Sequence, residues 1–62
     1  MRNTKKLIAK NVALRLARIA QLPAMYVKTI TAEQAEEEAV YYARNGGDLR
    51  YWNSQIEKEI NP

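Results

Sequence analysis

From Thr4 to Leu22 the apolar residues Ile8, Val12, Leu16 and Ile19 recur at spacings of four, four and three, with Ala9, Ala13 and Ala20 flanking them. This is the period of an α-helix with an apolar face. Asn3 or Thr4 supplies an N-cap, and Pro23 ends the helix because the residue before a proline is pushed out of the α region. The pattern predicts a first helix over residues 4–22. Its opposite side is basic, with Lys6, Lys10 and Arg18, yet it also holds Leu7 and Leu14. Two apolar surfaces on one helix imply two neighbours.

Met25 to Ile30 combines β-branched and aromatic residues in rough alternation, which predicts an extended connector. Thr31-Ala32-Glu33-Gln34 then reads as a capping box, in which the threonine hydroxyl accepts from the third helical amide and Gln34 reaches back. A second helix is expected over 32–45, with Ala32, Ala35, Ala39, Tyr42 and Ala43 on one face, an alanine seam that permits close helix approach. It ends at Asn45-Gly46-Gly47, where glycine takes the left-handed conformation of a C-terminal cap. Asp48 caps a third helix over 49–60, where Leu49, Trp52, Ile56 and Ile60 recur at three, four and four. The chain has no repeats and no linker long enough to separate domains. The expected fold is all-α: one small helical domain over 1–62, with three short helices joined by an extended connector and a Gly-Gly turn.

Size changes the picture. A chain of 62 residues buries only about 60% of the surface its unfolded form exposes. Nine of its apolar residues are alanine, four are tyrosine, none is phenylalanine, and there is no cysteine to form a disulfide. Association is the expected remedy, and the three apolar stripes together predict an intertwined homodimer. The absence of both cysteine and histidine excludes the usual zinc ligand sets and the Ser-His and Cys-His nucleophile pairs. The chain is therefore not expected to be an enzyme or to carry a cofactor, and its lack of disulfides fits a reducing cytoplasm.

The net charge of +3 hides a split: residues 1–28 hold seven bases and no acid, whereas residues 29–62 hold three bases and seven acids, a balance of −4. The basic start does not read as a secretory signal. Such a signal needs an apolar run of about 7–15 residues, and Lys10, Arg15 and Arg18 leave only four residues, Asn11 to Leu14, between the first two charges. Nor is there a membrane-spanning run. Opposite poles suit self-association or an anionic partner.

Three clusters are candidates for chemistry. Glu33, Glu36, Glu37 and Glu38 read better as residues complementing a helix N-terminus than as a metal site, since hard cations draw six or more oxygens from several segments. Lys6, Lys10, Arg15 and Arg18, with Tyr26 and Lys28 on the connector, are the candidate nucleic-acid contacts. Phosphate contacts of this kind give salt-dependent affinity without sequence information, and the acids downstream are expected to offset their field within a Debye length of about 8 Å, leaving only weak, non-specific binding. Tyr41, Tyr42, Tyr51 and Trp52 fall within twelve residues. Tyr42 and Trp52 are expected on the core stripes and Tyr41 and Tyr51 on outer faces, an arrangement suited to a protein interface. With Leu16, Ile19 and Ile56 these four form the predicted partner and dimer surface.

The order of extended segment, helix, Gly-containing turn and helix from Met25 onward resembles ribbon-helix-helix repressors, which implies a dimer with Tyr26, Lys28 and Ile30 on a paired ribbon. The long N-terminal helix departs from that pattern, as does Asp48 at the place where that family meets phosphate. Ala43-x-x-x-Gly47 resembles the turn of a helix-turn-helix, though the helix before it is longer and more acidic than that motif has. As a whole, this short, cysteine-free, highly charged helical chain resembles the small early-region accessory proteins of lambda-like temperate phages. That resemblance implies a non-enzymatic protein of the bacterial host cytoplasm that modulates a host or phage process by binding a protein, and it assigns no role to any residue. The leading expectation is a homodimeric protein-interaction module, and the alternative is a small dimeric DNA-binding regulator.

Overall fold

A computed structural model describes residues 4–23, 25 and 30–62, and its three helices are α1 (Thr4–Gln21), α2 (Ala32–Arg44) and α3 (Leu49–Ile60). No strand is present among the described residues. The extended connector expected over 25–30, with Tyr26 and Lys28, lies outside them except for Met25, which is exposed, and Ile30.

Each helix end has a local cause. At the end of α1 the Leu22 amide bonds back to the Ile19 carbonyl at 3.1 Å, tightening the last turn before Pro23. Thr31 and Gln34 form the reciprocal capping box of α2: the Thr31 hydroxyl accepts from the Gln34 amide at 3.0 Å, and the Gln34 side chain accepts from the Thr31 amide at 2.9 Å. α2 closes through Gly46 at φ +83° and a bond of 2.9 Å from the Gly47 amide to the Tyr42 carbonyl, the six-to-one bond of a Schellman turn. The two glycines serve different needs. Gly46 supplies the left-handed backbone, whereas a Cβ on Gly47 would overlap the Tyr42 ring. Asp48 then accepts from the amides of Arg50 and Tyr51 at 3.0 and 3.3 Å and starts α3.

α1 is the element on which both other helices pack. α2 runs antiparallel to it, with Arg15 beside Ala35 at one end and Ile8 beside Val40 and Ala43 at the other. α3 runs parallel to it, from Leu7 beside Asn53 to Gln21 beside Ile60. α2 and α3 meet little. Their aromatic contact is at the Gly-Gly turn, where the rings of Tyr42 and Trp52 lie 4.7 Å apart at 54°.

Because α1 has a neighbour on each side, its most buried sector is the one between its two apolar flanks. Leu7 and Leu14 form one flank and Ile8, Val12 and Ile19 the other; all are half-buried. The line between them is Asn11, Arg15 and Arg18, and Asn11 is the one buried residue of the helix, at 0% exposure. The stripe expected to enter the core thus covers its edge. In α3 the same shift leaves Trp52 half-buried instead of fully buried and places Asn53 in the interior with Leu49 and Ile56. Ala35 and Ala39 complete the buried apolar residues among those described.

Candidate protein-interaction surface

The centre of the site is Arg15. An arginine on a helix flanked by leucines reads as a solvated base, but the closeness of α2 turns it inward, and only 17% of its side chain is exposed. Its Nη1 donates to the Ala35 carbonyl at 3.2 Å and its Nη2 to Glu38, while the guanidinium carbon lies 4.9 Å from the centroid of the Trp52 ring. The Ala35 carbonyl is within reach because the alanines of α2 carry no bulk to hold the two helices apart. The cation over the indole face adds attraction from the ring quadrupole. Arg15 therefore ties all three helices together and is not free to meet phosphate, which corrects its expected place on an open basic pole.

Next to this anchor, Trp52, Tyr42 and Tyr41 line a hollow of about 490 Å³ whose edge is Glu38, Asn45 and the Gly46-Gly47 backbone. The Tyr42 hydroxyl donates to the Asp48 carbonyl at 3.5 Å and keeps one wall in place. Tyr41 and Tyr51 project outward at 71% and 62% exposure. The hollow can receive an apolar or aromatic side chain against a floor braced by the tilted contact of Tyr42 with Trp52.

The other predicted surface residues are scattered. Leu16 and Ile19 are half-buried on α1, whereas Ile56 is buried within the chain itself and is not a surface residue. Lys6 is exposed, Arg18 is half-buried, and Lys10 pairs with Glu57 of α3 at 3.1 Å. Tyr26 and Lys28 lie outside the described residues. The sequence reading missed the roles of Glu38, Asn11 and Asn53. Asn11 Nδ2 donates to Asn53 Oδ1 at 2.9 Å, and Asn53 Nδ2 donates to the Leu7 carbonyl at 3.2 Å; Asn11 Oδ1 is buried without a partner. The available signal was an asparagine standing between Leu7 and Leu14 at helical spacing, on a face otherwise read as solvated.

No helix of the described residues is long and apolar enough to cross a membrane. Comparison with protein-family models, with curated proteins and with solved structures finds no match to this chain.

Proposed function

We propose that the chain is a small non-enzymatic protein-interaction module that works as a homodimer and engages a protein partner through its aromatic end. The observation supporting this reading is the exposure of Tyr41 and Tyr51 beside half-exposed Tyr42 and Trp52. Tyrosine and tryptophan dominate interface energetics because they bring large apolar area with few rotatable bonds. On this proposal the chain acts as an accessory protein of the phage type it resembles, in the cytoplasm of a bacterial host. The DNA-binding alternative has less to stand on, since Arg15 is held by Ala35, Glu38 and Trp52 and Lys10 by Glu57.

Affinity capture from nuclease-treated host lysate tests the reading, with a Tyr41→Ser/Tyr51→Ser variant in parallel. Both substitutions are on exposed positions, so the helical circular dichroism should be unchanged. The expected outcome is a protein retained by the wild type despite nuclease and lost by the variant. Capture that disappears with nuclease, or that the variant keeps in full, would reject it.

A further inference from the structure

The outward face of α2 carries Glu33, Glu37, Val40 and Arg44 at spacings of four, three and four, with Tyr41 beside Val40. That is the spacing of a helix-pairing seam. These residues line a shallow groove of about 440 Å³. Val40 is half-buried and the other four are exposed. Charge along the groove is graded: Glu33, Glu36 and Glu37 line its N-terminal half, Val40 follows, and Arg44 is the base at its C-terminal end. Glu33 and Glu37 are like charges one turn apart, an arrangement that destabilises a helix by itself. Among the described residues, the ion pairs are Lys10–Glu57 and Arg15–Glu38, so neither of these glutamates nor Arg44 is paired with another described residue.

We infer that this face of α2 pairs, antiparallel and about a two-fold axis, with the same face of a second copy. The inference rests on the homodimer of the proposed function and names its surface. A two-fold axis perpendicular to the helices brings identical patches together with their ends reversed, so a graded seam becomes self-complementary in the antiparallel arrangement and not in the parallel one. Glu33 of each copy then lies opposite Arg44 of the other, and the seam spacing sets Glu37 against Val40. Arg44 of the second copy relieves the Glu33–Glu37 repulsion from the Glu33 side, while the two Glu37 flank the axis. Tyr41, 71% exposed in the single chain, stands at the rim of this face. A parallel arrangement would set acid against acid. Pairing one 13-residue helix with its copy makes a contact smaller than the usual stable interface of about 1,200–2,000 Å². The dimer is accordingly a weak one, and it weakens further as salt screens its charged ends.

Charge reversal provides the test. Arg44→Glu places glutamate opposite glutamate twice, and Glu33→Arg places arginine opposite arginine twice, so sedimentation equilibrium over about 1 µM to 1 mM should show each single variant dimerising at least about tenfold more weakly than the wild type, or about 1.4 kcal/mol. Mixing the two variants creates two attractive pairs, and a heterodimer should form with near wild-type affinity; the double variant E33R/R44E should homodimerise again. Recovery on mixing cannot come from loss of folding, and circular dichroism of each variant provides a second control. A wild-type chain that stays monomeric throughout the range, single variants that dimerise as well as the wild type, or a mixture that stays monomeric would each overturn the inference. None of these substitutions touches Tyr41 or Tyr51. Partner capture can therefore persist when the dimer face fails, and the two proposals fail separately.

Discussion

α1 joins its two neighbours by opposite polar devices. Against α3 the device is neutral and sealed: Asn11 donates one side-chain hydrogen bond to Asn53 inside the seam, Asn53 donates to the Leu7 carbonyl, and Asn11 Oδ1 is left without a partner. Against α2 the device is charged and open at its rim: Arg15 reaches across Ala35 to Glu38, whose side chain is 55% exposed, with Trp52 as a floor. The difference follows from what each seam can satisfy. A buried group without a partner costs about 1–3 kcal/mol, so the amide pair is expensive to break halfway and cheap to remove entirely. A guanidinium at a rim keeps some contact with water, so its value is in the geometry it imposes on three helices more than in net Coulomb energy.

The largest effect should come from breaking the amide pair on one side. Asn53→Ala leaves the Asn11 amide without a partner at either end and removes a side-chain bond from the Leu7 carbonyl, which should cost about 2–4 kcal/mol. That is a large share of the stability of so short a chain. The double variant Asn11→Leu/Asn53→Leu replaces both partners with apolar side chains of the same branched shape and also removes the unsatisfied Oδ1. Urea unfolding should place it within about 1 kcal/mol of the wild type, or above it. If the single and double variants are equally damaged, the seam is held by its shape and not by satisfaction of the amides.

The charged seam should respond less. Arg15→Lys keeps the charge but loses the planar fork that serves the Ala35 carbonyl and Glu38 together, as well as the flat stack on Trp52. The expected cost is about 1–2 kcal/mol, and the emission of Trp52 should change as water reaches its exposed face. An unchanged melt and spectrum would reduce Arg15 to a surface base and undo the contrast between the seams.

What the chain disclosed in advance divides along the same line. Thr31 with Gln34, and Asp48, announce their caps because each acts on amides within three residues, and Gly46 because it supplies the left-handed backbone itself, so the start and end of α2 and the start of α3 are legible from a short window. The sector of α1 that faces inward is not. Periodicity finds the apolar flank of Ile8, Val12 and Ile19, but a second neighbour moves the buried direction between that flank and Leu7–Leu14, onto Asn11 and Arg15. Asn11 and Asn53 stand 42 residues apart, and nothing local to either marks the other as its partner. The exposed positions of Tyr41 and Tyr51 were legible because they fall off the stripes of their own helices. The sequence predicts Ile56 at an interface because a stripe alone does not say whether another chain or this one covers it.

The smallest effect belongs to Lys10 and Glu57, and it separates rim electrostatics from the buried device in the same seam. Their ion pair, at 3.1 Å, bridges α1 and α3 close to Asn53, but the side chains are 54% and 49% exposed. Water screens such a pair, and holding two long side chains in one geometry takes back much of the attraction, so exposed pairs contribute little and lose that little as salt rises. Lys10→Met keeps most of the aliphatic stem that lies along the seam while removing the charge. Its cost should be no more than about 0.5 kcal/mol at low salt and close to zero in 1 M salt. Asn53→Ala should keep its full penalty at both salt concentrations, because no ion enters a sealed amide pair. A Lys10→Met penalty that matched Asn53→Ala and resisted salt would mean that the ion pair, not the asparagines, sets how α3 sits on α1.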